Sequence, residues 1–496
     1  MTLSFSVRRT TSPSPLRGSN GVAFGPDGRL HVAQFLAGQI SAVDLATGDV
    51  EVIVAPGGPI ESPDDLAFGP DGSMYITDLV PGRVWRRAAD GTLELAADEL
   101  RAPNGITFAG DRLFVNEMVP AGRLLELGAT RRTLTDELAM GNAMQLGPDG
   151  YLYYPHMLTG EVHRIGLDGG APELVADQLP GPVAVRFDRG GALLVLSRDA
   201  AGTITRLDGG RRTTLTTGIV GMDNAACDDE NRLFVSSYAT GGITEVRPDG
   251  RTRDVVPRGL TGPYGVTVDL GGRVHVADHY GFAADDGVEL STFVHGIAAD
   301  GDRLHLTSQY GQVRSYDRVT RETRSRVTGL DQPLGVAVGP DATVVVAEAG
   351  AGRVVAIDED DTVSVLADGF GRPAAVAFDA DGSCYVSDEE HGTVHRVGHG
   401  VIVEGLDAPQ GLAIHGEHLF VVETGQGRVC VVDLESAQRV TAFDVPVSTN
   451  ARTESSLFAH GVPGIPAAFA GLAAGPQALY LAAEGAVLEI APAEKP

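Results

Sequence analysis

Gly21-Val22-Ala23-Phe24-Gly25-Pro26-Asp27-Gly28-Arg29-Leu30-His31-Val32-Ala33 holds the pattern that decides the fold. A short apolar run is broken by Gly-Pro-Asp-Gly, residues suited to a tight turn, and a second run follows. Outward from this stretch the pattern recurs twelve times along the 496 residues, mostly at steps of 36 to 44. A regular repeat divides into one strand (Gly105–Phe108), a Gly110-Asp111 turn, a second strand (Leu113–Val115), a Gly-containing loop and two outer strands. Alternating apolar residues such as Val84, Leu93 and Leu95 mark the outer strands, and helical periodicity is nearly absent. Repeats of about 40 residues with four strands each are the signature of a β-propeller, one blade per repeat. Rings of roughly four to eight blades are usual, so twelve repeats predict an all-β chain of two six-bladed propellers in tandem.

The residue just before each apolar run reads Asn20, Asp64, Asn104, Asn142, Val183, Asp223, then Tyr264, His295, Leu334, Ala374, Gln410, Ala470. The innermost strand of a blade begins at the central channel, so this column faces the axis. Five of the first six positions are Asn or Asp, and the polarity breaks between Asp223 and Tyr264. That break places the expected domains at 1–13 (an N-terminal strand), 14–258 (first propeller) and 259–496 (second propeller, with a long loop at 447–466). The final repeat is one strand short, and Leu3-Ser-Phe-Ser-Val alternates like an edge strand able to complete it. The 31-residue step from Tyr264 to His295 carries the acidic insert Asp285-Asp286-Gly287. The 60-residue step from Gln410 to Ala470 holds the 447–466 loop, with Arg452 and Glu454.

Amide and carboxylate oxygens converging on one axis suit a hard divalent cation. Ca²⁺ fits best, with Mg²⁺, Mn²⁺ and Zn²⁺ as alternatives. Asn20, Asp64, Asn104, Asn142 and Asp223 are the expected metal ligands. Residues ending the second strands (Gln34, Asp78, Asn116, Glu117, His156, Arg198) lie on the same face by topology. Among them His156 is the candidate proton shuttle, because an unperturbed imidazole titrates near neutrality. Glu117 is a second catalytic candidate, and Asn116, Arg198, Gln34 and Asp78 are substrate-binding candidates. In the second half Asp278, Glu348, Asp388, Glu423 and Glu484 read as braces of neighbouring turns. His295, with Tyr264, Gln410 and Glu348, forms a further polar cluster able to bind substrate.

The chain carries 66 acidic against 38 basic residues, a net charge of −28. That balance argues against nucleic acid and anionic membranes as partners and leaves a small molecule. Cys227, Cys384 and Cys430 lie far apart, as buried thiols of a reducing compartment do. The start of the sequence has no signal-like apolar core, and no run approaches 18 apolar residues. A cytoplasmic location is expected. The oligomeric state is left open, a monomer being compatible.

Ser19-Asn20-Gly21, Pro103-Asn104-Gly105 with the Asp111 turn, and the recurrent Gly-Pro-Asp-Gly turns resemble the senescence-marker-protein/gluconolactonase family of six-bladed propellers. The resemblance implies one divalent cation held in the channel by a Glu, an Asn and an Asp, each preceding an innermost strand. Asn104 matches the family Asn in motif and Asn142 matches it in column position. Asp223 would stand for the family Asp, which the resemblance implies to be a general base. The family Glu is replaced by Asn20, and Asp64 in the next blade restores the lost charge. The likeness covers the first six blades, the rest resembling generic NHL-type repeats. His295-Gly296-Ile297-Ala298 is similar to the streptogramin lyase propellers, which use His and Glu with a divalent metal. The implied function is a metal-dependent hydrolase of a lactone or ester. A metal-assisted lyase or cyclase of natural products and a non-catalytic binding propeller are the alternatives.

Overall fold

The computed structural model describes residues 4–11, 13–284, 287–447, 457–483 and 485–493. The chain is all-β, the one helical element among the described residues being the single 3-10 turn Phe35–Ala37. Its described strands form eleven four-stranded sheets, one three-stranded sheet and one two-stranded hairpin, with antiparallel pairing between strands.

In the opening motif, Ser19–Phe24 pairs with Leu30–Gln34, Val22 opposite Val32 and Phe24 opposite Leu30. The turn between them closes with Gly25 N–H on Arg29 O at 2.9 Å and Gly28 N–H on Gly25 O at 3.0 Å. Gly28 sits at φ 76°, where a side chain is strained. Asp27 Oδ1 accepts the Arg29 N–H at 3.1 Å, and Asp71 and Asp149 lock Ser73 and Tyr151 in the same way. The Gly-Pro-Asp-Gly signal is therefore a hairpin with a side-chain latch.

Two compact units divide the chain. One comprises Ser14–Thr261 with Phe458–Ile465, and the other comprises Met1–Pro13, Gly262–Leu457 and Pro466–Pro496. At the end of the first, Ser14 N–H donates to Leu260 O (3.2 Å) and Arg17 Nε–H to Thr261 O (2.9 Å). Within it, the first strands of six sheets (Ser19–Phe24, Pro63–Phe68, Pro103–Ala109, Gln145–Leu146, Pro182–Phe187, Met222–Cys227) are neighbours in chain order. The last of these lies beside the first. In the other unit, Val266–Val268, Gly296–Asp300, Pro333–Val338, Pro373–Phe378, Pro409–His415 and Leu472–Ala474 follow the same cyclic order. Side chains from second strands stitch adjacent sheets near the axis. Ser236 Oγ donates to Asn20 O (2.5 Å), Asn116 Nδ2 to Asn142 O (2.6 Å) and Ser387 Oγ to Gln410 O (2.6 Å). Between sheets the faces are apolar, as where Ala33 and Ile40 pack on Leu66, Met74 and Ile76.

Three elements depart from the regular repeat. The sheet after Tyr264 has three strands among the described residues, since Val274–Ala284 and Gly287–Val294 run as one long hairpin. Asp285 and Asp286 lie outside the described residues. The sheet of Leu472–Ala474, Leu479–Ala483 and Ala486–Pro492 takes its fourth strand from Phe5–Arg9, with Val7 opposite Ile490. Leu3 and Glu484 lie outside the described residues. Of the 447–466 loop, Arg452 and Glu454 also lie outside them, while Phe458–Ala459 and Val462–Pro463 pair as a hairpin. Val462 packs with Phe35, Leu79, Ala102 and Val119 of its own unit. Cys384 and Cys430 are buried free thiols. Cys227 is only partly buried, contrary to expectation, because its strand end meets an open cavity of about 650 Å³.

Candidate metal centre

The first strands carry a register break at the column. In four sheets of the Ser14–Thr261 unit the pairing skips two residues, between Ser19 and Val22, Pro63 and Leu66, Pro103 and Ile106, and Met222 and Ala225. A bulge frees the column residue and the one after it from the ladder together. The column residues Asn20, Asp64, Asn104, Asn142 and Asp223 are all buried. So are Asp65 and Asn224, which were not expected in the site. The doublets Asp64-Asp65 and Asp223-Asn224 were the available signal.

These side chains form two connected groups. In one, Asn104 Nδ2 donates to Asp64 Oδ1 at 2.9 Å, and Asn20 also hydrogen-bonds Asp64. In the other, Asn224 Nδ2 donates to Asp65 Oδ1 at 3.0 Å, and the Arg186 guanidinium donates to Asn224 Oδ1. Arg186 is also held by Ala225 O (2.7 Å), Val185 O (2.8 Å) and Met144 O (3.1 Å), carbonyls from three neighbouring sheets. Arg186 is the second group that the sequence did not reveal, lying three residues past the apolar column residue Val183.

Burial raises Asp223 well above the usual carboxylate range, the charges of Asp64 and Asp65 add to this, and Arg186 opposes it. Burial and then the Asp65 charge raise Asp64 likewise. Asp65, raised by burial but opposed by Arg186 and hydrogen bonds, stands at about 6. Three carboxylates face one guanidinium, which leaves two negative charges when all are ionised. Asn20 Oδ1 and Asn104 Oδ1 are buried oxygens without a hydrogen-bond partner, as is Asp65 Oδ2. Orphaned hard oxygens beside an uncompensated pair of carboxylates fit a divalent cation. Among the described residues, Asp64, Asp65 and Asp223 do not form a group of three whose oxygens all lie within 4.8 Å of one another. Asn142 has local partners of its own. Its Oδ1 accepts the Ala143 N–H at 2.6 Å and its amide nitrogen lies 3.3 Å from Met157 Sδ.

The ends of the second strands mostly brace turns. Asp78 accepts hydrogen bonds from Ser62 N (2.7 Å), Glu61 N (3.2 Å) and Trp85 Nε1 (3.1 Å). Gln34 accepts from Arg17 N (2.9 Å) and donates to Ser41 Oγ (2.7 Å), and Asn116 accepts from Gly105 N (3.0 Å). Glu117 is buried between Arg101 (2.9 Å) and Arg123. Burial alone would raise it, but the two guanidinium groups hold it below its ordinary value. These side chains have their hydrogen bonds committed to the turns. Glu348 (with Arg353) and Asp388 (with Gly371 N and Arg372 N) brace the same way in the other unit. Arg198 is exposed, its main-chain N–H on Gly181 O at 3.1 Å. His156 is pushed down to about 4 by burial and then by the neighbouring His163.

His295 joins a partner that the sequence did not reveal. Its Nδ1 accepts the Gln309 main-chain N–H at 2.9 Å, so in the neutral ring the proton is on Nε2. Nε2 then donates to His279 Nδ1 at 2.9 Å, which fixes the His279 proton on Nε2. Burial drives both imidazoles far below neutrality, His279 to about 3. Tyr264 packs edge-on against His295, with ring centroids 4.9 Å apart. Gln410 donates instead to Glu389 at 3.2 Å.

No family model and no curated protein matches the chain. Solved structures do resemble parts of it. A streptogramin B lyase structure matches at 17% identity and TM-score 0.42, covering 55% of this chain and 94% of its own. A structure assigned to the gluconolactonases matches at 15% and 0.41, covering 51% and 93%. The calcium-binding protein regucalcin from Agrobacterium tumefaciens strain C58 matches at 20% and 0.39, covering 48% and 87%.

Proposed function

We propose that the chain is a tandem of two six-bladed β-propellers and that the Ser14–Thr261 unit is a divalent-metal-dependent hydrolase of a lactone or ester. The observation that carries the reading is the buried, uncompensated pair Asp64 and Asp223 beside the orphaned oxygens of Asn20 and Asn104. An all-oxygen donor set favours Ca²⁺. When bound, such a cation polarises a substrate carbonyl. Asp223, ionised beside the bound cation, would take up the proton that the reacting group loses. Asn20 and Asn104 orient the carbonyl side. Met118 Sδ, 3.2 Å from Asn104 Nδ2, supplies a pliable apolar wall. Arg186 and Asp65 neutralise one another below and hold the bulged strands in place. In the other unit, Leu334, Ala374 and Ala470 occupy the matching column and offer nothing to replace a cation's hydration shell.

Equilibrium dialysis of the purified protein against Ca²⁺, paired with a panel of lactones and aryl esters, tests the reading. The wild type should retain one equivalent, and Asp64→Asn or Asp223→Asn should lose it. Turnover should fall by about 10² to 10⁴ in Asp223→Asn, while His295→Ala leaves most of it. Retention of Ca²⁺ by both Asp variants, or loss of turnover only in His295→Ala, would overturn it.

A further inference from the structure

We infer a second metal site of a different chemical kind, for an imidazole-preferring transition ion such as Zn²⁺ or Co²⁺, at His156, Glu161 and His163. All three belong to one hairpin, Tyr151–His156 paired with Glu161–Gly166. His156 stands directly opposite Glu161, and His163 opposite Tyr154, so the three share one end and one face of the pair. Among the described residues, one ligand atom from each lies within 4.8 Å of the other two. His163 Nε2 is 3.1 Å and His156 Nδ1 3.9 Å from Glu161 Oε2, and Thr159 Oγ1 donates to that oxygen at 2.8 Å. Two imidazoles and one carboxylate form a three-ligand set that leaves a coordination position open.

His156 is 8% exposed, and the nitrogens that face Glu161 are its Nδ1 and the Nε2 of the half-buried His163. His163 Nε2–H donates to Glu161 Oε2 at 3.1 Å, so a metal at Nε2 would take the ring as its Nδ1–H tautomer. The two rings stack with centroids 4.4 Å apart and planes 21° from parallel, which holds both nitrogens toward the same carboxylate. The site is separate from the oxygen-lined centre in donor type. A hard ion belongs with Asp64 and Asp223, a borderline ion here.

Co²⁺ is the probe, because its visible absorption intensifies in low-coordinate nitrogen sites and is weak in all-oxygen ones. The full-length protein, freed of metal and kept in excess Ca²⁺, is titrated with Co²⁺ alongside His163→Ala, Glu161→Gln and Asp64→Asn. One equivalent of Co²⁺ should give the intense band in the wild type and in Asp64→Asn. Both hairpin variants should bind it at least tenfold more weakly while keeping the wild-type melting profile. Loss in Asp64→Asn together with retention in His163→Ala would place the ion at the central site and overturn the inference. So would an intense band that survives in both hairpin variants, or no band in the wild type. Failure of the Ca²⁺ site alone, with the Co²⁺ band intact, would leave this inference standing.

Discussion

At the scale of single residues, Gly21 is where the centre is most vulnerable. A Cβ built there would fall inside contact distance of the Asp65 Cα and carboxyl. Gly21 lies on the sheet between those of Asp65 and Asn224, so the missing side chain is what lets Asp65 reach across. Gly21→Ala should cost about 1–3 kcal/mol by overpacking against backbone and weaken Ca²⁺ retention. Gly28→Ala, at φ 76° with open space around it, should cost only about 1 kcal/mol and leave the ion in place. Thermal melts with and without Ca²⁺ separate the two, and equal behaviour would show that Asp65 has room to spare. The column itself was readable because a strand's first residue keeps its place from repeat to repeat. Asp65 and Asn224 were not, since strict alternation turns the next residue away from the axis and only the bulge brings it back. The ends of the second strands were harder to read for a related reason. Asp78, Asn116 and Glu117 sit at the right end of their strands, but local turn N–H groups claim them first.

Among elements, the strand Phe5–Arg9 shows what alternation can reveal over long distances. Its partner in the pairing is Ala486–Pro492, and Phe5 stacks on Phe443 (4.7 Å) and meets Phe420 edge-on (5.7 Å). Without it the Ala486–Pro492 edge presents unpaired N–H and C=O groups. Removal of residues 1–9 should therefore lower the melting temperature by several degrees and promote aggregation. Phe5→Ala should cost about 2 kcal/mol through lost apolar burial. Melts matching those of the intact chain would mean that the strand adds nothing. The long hairpin Val274–Ala284/Gly287–Val294 escaped the sequence pattern because the acidic insert looked like a break in the repeat. The Val462 hairpin was equally hidden, since nothing in Gly461-Val462-Pro463 says that its apolar partners are Phe35 and Leu79, over 380 positions earlier.

On the scale of the whole molecule, the two units carry buried groups of opposite titration sense. The raised carboxylates Asp64, Asp65, Asp78 and Asp223 all sit in the Ser14–Thr261 unit. A raised folded pKa binds protons that the unfolded chain gives up above about pH 4, so their contribution is complete at low pH. It is lost as pH rises through about 6 and beyond, unless a divalent cation takes the proton's place. The Gly262–Leu457 unit holds His279 at about 3, His295 well below neutrality and His305 at about 4, all depressed chiefly by burial. Those groups stabilise above the unfolded imidazole value near 6.5 and lose that contribution as pH falls toward their folded values. The Gln309–His295–His279 chain sharpens this loss, because its fixed proton order has no place for an added proton. Asp269, held at about 2 where His275 and neighbouring hydrogen bonds outweigh burial, keeps its contribution through this range and loses it only below about pH 4. Acidification from pH 7.5 to pH 5 should therefore loosen 262–457 before 14–261, even though His31 and His156 give the first unit some acid sensitivity of their own. Hydrogen exchange read by peptide, corrected for intrinsic rates and run without divalent ions, measures it. The expected result is an increase in opening at pH 5 concentrated in peptides around 279–309, with peptides around 64–67 and 222–226 protected as well as at pH 7.5 or better. His295→Gln should remove part of the acid response of its own unit and none of the other's. A uniform response across both units would show that surface charge, and not these buried groups, sets the pH dependence.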